Sequence, residues 1–192
     1  MLDDVLREIQ ESIEIKTKLK EQANQIIDVG LLMSNSINSG GKSVFFGNGG
    51  SAADAQHICA ELVGKFQIKR RGLPSIAFTT NTSILTAIAN DFGYDRVFER
   101  QVQSMVNAND VVIGISTSGN SENVIRGLEA AKKIGAKTVG LTGIDGGRLS
   151  YVVDIVIKVP SNNTQRIQEC HIMIGHLMCS IIEKELLDTG SE

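Results

Sequence analysis

Five short apolar segments recur along this chain: "SVFFG" (43–47), "SIAFT" (75–79), "VVIGIS" (111–116), "TVGLTG" (138–143) and "DIVIKV" (154–159). Each is apolar or β-branched, and most end in Gly, Ser or Thr, the pattern of strands buried on both faces. Between and after them, apolar residues at three- and four-residue steps predict helices over Ala52–Phe66, Ser83–Asn90, Val97–Val106, Glu122–Ile134 and Arg166–Leu187. Strand alternating with helix predicts an α/β fold, a parallel sheet wrapped on both faces.

A chain of 192 residues supports one substantial core, and neither a solenoid-length repeat nor a low-complexity linker divides it, so a single domain over 1–192 is expected. Two helices precede the first strand. Leu2, Val5, Leu6, Ile9 and Ile13 mark one, and Ala23, Ile26, Ile27, Gly30, Ser34 and Ile37 mark the other. Such a helical pair (1–39) has either its own core to cover or another subunit to grip, and oligomerisation is the expectation.

The 19 basic and 22 acidic residues leave a net charge of −3, which provides no global positive field for a nucleic acid. The one basic run, Lys69 to Arg71, reads as a solvated loop. The acidic start "MLDDVLREIQ" has no signal-peptide character, and no apolar run approaches the roughly 18 residues that cross a bilayer, so a cytoplasmic, membrane-free protein is expected. Cys59, Cys170 and Cys179 form no C-x-x-C pair and read as reduced core thiols.

In open parallel sheets, ligands sit where loops leave the carboxyl ends of strands. Two such loops here are unusual. After the third strand, Ser116, Thr117, Ser118 and Ser121 crowd a helix start, where free N–H groups and a partial positive charge favour an anion such as a phosphate monoester. Ser121 alone reads as an ordinary N-cap. After the first strand, "GNGGSA" (47–52) fits a dinucleotide fingerprint weakly. The second strand, however, ends "AFTTN", without the acid that a ribose hydroxyl needs. The same glycines let Asn48, Gly49 and Gly50 approach a polyhydroxylated ligand closely.

His57 and Glu61, spaced i, i+4, project from one helix face. The final helix carries Gln168, His171 and His176. Imidazole, carboxylate and amide oxygen together suit zinc or a neighbouring transition metal. Taken singly, each histidine reads as a hydrogen-bonded core residue and the pair as a surface contact. Gln168 and His176 lie about 12 Å apart in helix rise, so one ion holds both only through reaching side chains, a bend or sharing between subunits.

The stretches "GNGGSAADAQHICAE", "TAIANDFGYDRVF", "GISTSGNSENV", "LTGIDGG" and "RIQECHIMIGH" together resemble the phosphoheptose isomerases of the sugar isomerase (SIS) domain family. The resemblance spans nearly the whole chain. It implies a single SIS domain, a five-stranded parallel sheet between helices, and a homotetramer. It also implies zinc held by His57, Glu61, Gln168 and His176, and phosphate held by Ser116, Thr117, Ser118 and Ser121. Asn48, Gly49, Gly50, Ser51, Asn90 and Asp91 are implied around the sugar, with Glu61 and Gln168 touching both metal and substrate. His171 receives no role. Some relatives carry an acid three positions before the glutamine; this chain has Gln165 there.

The implied reaction converts D-sedoheptulose 7-phosphate to D-glycero-D-manno-heptose 7-phosphate, the first step towards nucleotide-activated heptose. Glu61 and His176 would act as acid and base through an enediol. The rival expectation is a catalytically silent SIS module that binds a phosphosugar or a protein. Paralogues of that kind, one of which binds the bacterial replication initiator, lack the acid and second histidine that Glu61 and His176 supply here.

Overall fold

Each of the five apolar segments is a strand in the computed structural model, which describes residues 1–188. Residues 189–192 of the expected domain lie outside that range. The strands are β1 (Ser43–Gly47), β2 (Ser75–Ala77), β3 (Val111–Ile115), β4 (Lys137–Thr142) and β5 (Ile155–Lys158). All neighbours pair in parallel, in the order β2-β1-β3-β4-β5. The fold is the expected α/β architecture, one five-stranded parallel sheet between helices.

The helices are α1 (Leu2–Lys18), α2 (Ala23–Asn38), α3 (Gly50–Val63), α4 (Thr82–Phe92), α5 (Val97–Met105), α6 (Glu122–Ile134) and α7 (Thr164–Asp188). Side-chain alternation along the strands builds two cores. Phe45, Val111, Ile113, Ile115, Val139 and Leu141 face α2, α3 and α7, whereas Val44, Phe46 and Val112 face α5 and α6. At roughly 25 cal/mol per Å² of apolar surface, these two layers supply most of the drive to fold.

The helical pair divides its labour. On α2, Ile26, Val29, Met33 and Ile37 are buried in the first core. Helix α1 is held to α7 by polar contacts: Arg166 pairs with Glu8 and Glu169, and the Ser12 hydroxyl donates to Glu169 at 2.6 Å. Its apolar row Leu2, Val5, Leu6, Ile9 and Ile13 remains exposed.

One expectation fails. Arg70 is not a solvated loop residue: its side chain is only 5% exposed and pairs with the equally buried Glu183 at 2.9 Å. A carboxylate more than a hundred positions away neutralises it, which a local charge pattern does not reveal. Of the three free cysteines, Cys170 and Cys179 lie in the core as expected, and Cys59 is half-buried.

Candidate active site

The strand order reverses between β1 and β3, the position at the carboxyl edge of a parallel sheet where ligands generally bind. After β1 the chain turns through Gly49, whose φ of +56° suits glycine, and α3 begins at once. Asn48 ties this turn to the start of α6. Its Nδ2 donates to Asn123 Oδ1 at 2.9 Å, and Asn123 Nδ2 donates back to Asn48 Oδ1 at 2.9 Å. The Tyr94 hydroxyl donates to the same Asn48 oxygen at 3.1 Å.

After β3, Ser116 is buried and its Oγ lies 2.9 Å from that of Ser121. Ser121 occupies the N-cap position of α6, yet its side chain accepts from no N–H of the first turn. Its hydroxyl is turned toward Ser116 instead of capping the helix. Thr117, Ser118 and Asn120 line a cavity of about 320 Å³ with Gly143, Asp145 and Thr164.

A third group forms where α3 and α7 run side by side. Gly175 eases the approach: a Cβ there would lie 2.4 Å from Ile58 Cγ1, so any other residue would force the Ile58 side chain or the helices to shift. His176 thereby reaches His57, with Nε2 to Nε2 at 3.5 Å, and His57 Nε2 lies 3.1 Å from Glu61 Oε1. One ligand atom from each of the three lies within 4.8 Å of the others. The imidazoles meet edge to face, and Phe66 stacks on His176 with centroids 5.6 Å apart. Two imidazoles and a carboxylate suit zinc, whose tetrahedral bonds of about 2.0–2.1 Å set donor separations near the 3.5 Å seen here.

A family model for the SIS domain matches residues 8–143. The phosphoheptose isomerase of Aquifex aeolicus is 52% identical over 185 residues, covering 96% of this chain and 97% of that protein. The chain belongs to the phosphoheptose isomerase family. The Geobacter sp. strain M21 phosphoheptose isomerase is 48% identical across 100% of both chains. The phosphoheptose isomerase structure from Neisseria gonorrhoeae superposes with a TM-score of 0.90 at 41% identity, covering 95% of this chain and 98% of the other. This chain is thus an isomerase of the phosphoheptose isomerase family.

Not every residue expected from that family resemblance joins the cluster. Gln168 packs at the start of α3, where a Cβ on Gly50 would lie 2.3 Å from its Nε2. It therefore sits about two helical turns from His176. Ser51 is buried at the same end of α3. Asn90 and Asp91 are exposed near the end of α4, joined to each other at 2.7 Å. The cavity beside the hydroxyl-rich turn is lined by neither His57, Glu61 nor His176. Gln165 faces solvent.

Sequence reasoning missed Asn123, Tyr94 and Asp54. Asp54 stands one turn before His57 on α3, and burial pushes its carboxyl up to about 6, opposed by the His57 charge. Its i, i+3 spacing to His57 was the available signal. His171 is fully buried against the Thr142 carbonyl at 3.3 Å, and burial drives it down to about 4, a neutral core histidine.

Proposed function

We propose that this protein converts D-sedoheptulose 7-phosphate to D-glycero-D-manno-heptose 7-phosphate, the first step towards nucleotide-activated heptose. One observation carries the reading: His57 and Glu61 on α3 and His176 on α7 bring one ligand atom each within 4.8 Å of one another, in a chain whose β3–α6 turn gathers four hydroxyls. The names of relatives around 50% identical point the same way.

In this reading Ser116, Thr117, Ser118 and Ser121, with the uncapped start of α6, receive the phosphate. Asn48, Gly49, Gly50, Ser51, Asn90 and Asp91 surround the sugar. Glu61 takes a proton from C1 of the ketose and returns it to C2, while His176 carries the hydroxyl proton between O1 and O2. The carbonyl moves from C2 to C1 through an enediol, with no net gain or loss of electrons. His57, Glu61 and His176 would hold zinc, which when bound supplies Lewis-acid polarisation of the carbonyl. A carboxylate that ligates fully is a poorer base, so Glu61 must be a partial or displaceable ligand. Gln168, seated at Gly50, would face the substrate. The fourth-ligand role that the resemblance gives it requires a reach of about 12 Å or a second subunit.

A homotetramer in the cytoplasm completes the proposal, with residues 1–39 contributing to its interfaces. Its support is the exposed row Leu2, Val5, Leu6, Ile9 and Ile13, together with α4, an apolar helix that buries none of its residues. No helix among the described residues is long and apolar enough to cross a membrane.

Incubation with sedoheptulose 7-phosphate, followed by NMR of the sugar, tests the activity directly. Aldose phosphate should form, cease with a chelator and return with zinc. No aldose in any condition would leave the silent phosphosugar- or protein-binding module as the better reading.

A further inference from the structure

The segment between α3 and β2, residues 64–74, has no regular structure, yet it carries Phe66, the ring stacked on His176. Something must hold it. Glu183 on α7 accepts from the backbone N–H groups of Gln67 and Ile68 at 2.9 and 3.1 Å through one oxygen. Its other oxygen accepts from Arg70 Nε at 2.9 Å.

Arg70 continues the chain of contacts into the site. Its Nη2 donates to the Glu61 carbonyl at 2.9 Å, and Nη1 donates to the carbonyls of Leu62 at 2.9 Å and Arg71 at 3.1 Å. The Glu61 and Leu62 carbonyls lie in the last turn of α3, and a cation there meets the negative end of the helix dipole, whereas the Arg71 carbonyl belongs to the segment itself. Glu183 follows His176 by two turns on α7, so both project from similar faces. The pair is 5% and 3% exposed, which rules out direct contact with a substrate in solution.

We propose that the Arg70–Glu183 pair is a positioning element for the His57, Glu61 and His176 cluster. It clamps the end of α3 that carries Glu61 to the face of α7 that carries His176, and it fixes Phe66 as the wall behind the His176 ring. Stability alone is a weak account of the arrangement, because a buried ion pair often contributes no more than a well-packed apolar pair of the same volume. A planar guanidinium that donates to one carboxylate and three carbonyls does what an apolar pair cannot: it fixes direction. The inference rests on reading that cluster as the metal and acid-base group.

Two variants of the full-length protein test it, Arg70→Lys and the double variant Arg70→Met/Glu183→Leu. Lysine keeps the charge and loses the fork; the double variant replaces the pair with apolar volume. Zinc affinity is measured without substrate, by competition with a chromophoric chelator, and ligand geometry by the visible spectrum of the cobalt(II) form. Both variants should lose about 10-fold or more in zinc affinity and show an altered cobalt spectrum. In turnover of sedoheptulose 7-phosphate, kcat should fall by a similar factor while KM stays within about threefold. Wild-type zinc affinity and cobalt spectrum in a folded variant would overturn the proposal. If the double variant does not fold, Arg70→Lys decides, and failure of Arg70→Lys to fold would assign the pair to global stability and equally overturn it. Because the zinc and cobalt readings need no substrate, an inactive wild-type protein would sink the isomerase reading without deciding this one.

Discussion

The hydroxyl-rich turn after β3 and the cluster between α3 and α7 are built by opposite means. The turn is local: Ser116 and Ser121, five positions apart, bond to each other at 2.9 Å, and Asn120 N–H bonds to Ser118 Oγ at 3.2 Å. The cluster is not, since His57 and His176 stand 119 positions apart and meet only where two helices close on each other, an approach that Gly175 eases. The turn's backbone is braced by the segment after β4, where the Gly143 and Leu149 N–H groups donate to the Thr117 and Gly119 carbonyls, but its hydroxyls are neighbours in the chain. A cluster built across helices depends on every contact that sets the spacing, so it is the more easily displaced by distant substitutions.

That difference predicts a division of labour, strongest at Glu61. Glu61→Gln should lower kcat about 10²- to 10⁴-fold, the range for losing a general base, while sugar-phosphate binding measured by calorimetry stays within about threefold. Unchanged turnover would remove Glu61 from the chemistry, and a lost affinity with intact kcat would merge the two regions into one binding surface.

The turn should respond the other way. Ser121→Ala removes a hydroxyl that caps no helix N–H and bonds only to Ser116, so thermal stability should fall by no more than about 2–4 °C. KM should rise roughly 10-fold, the loss of about one hydrogen bond to a charged group, with kcat nearly unchanged. A large drop in melting temperature with KM intact would make Ser121 a structural cap after all.

The same contrast explains what could be read from sequence. The strands were legible because burial on both faces demands continuous apolar runs, and the turn was legible because its four hydroxyls are neighbours in the chain. Half of the cluster was legible too, since the i, i+4 spacing of His57 and Glu61 sets a shared face. Which histidine of α7 joins them was not: spacing left His171 and His176 open, and only the family resemblance separated them. The structure puts His171 in the core and His176 against His57. Asn123 and Tyr94 carry no local signal, because each meets Asn48 only when the start of α6 and the turn before α5 pack against the loop after β1. Arg70 was misread because its partner, Glu183, sits on the last helix. Periodicity reveals which face of a helix is buried, but not which element covers it.

Asp54 offers the smallest and most selective test. It belongs to the cluster side, one turn before His57, and its Oδ2 is buried without a hydrogen-bond partner. Burial raises its carboxyl from 3.8 to about 6. A folded value above the unfolded one means that the fold favours the protonated form. Its contribution to stability is therefore fully present below about pH 3.8 and lost as pH rises through about 6. At pH 8 in a chelator, the charged carboxylate is a cost that Asp54→Asn removes. Because the side chain is partly exposed, the gain should be only about 1 kcal/mol, or roughly 2–4 °C in melting temperature. The gain should vanish by pH 4. Zinc should shrink it at pH 8, because a cation held at His57 favours the ionised carboxylate one turn away. The same titration applied to Ser121→Ala should show no pH dependence. A pH-independent Asp54→Asn would mean that this carboxylate is solvated and that the α3 face of the cluster is wetter than its packing suggests.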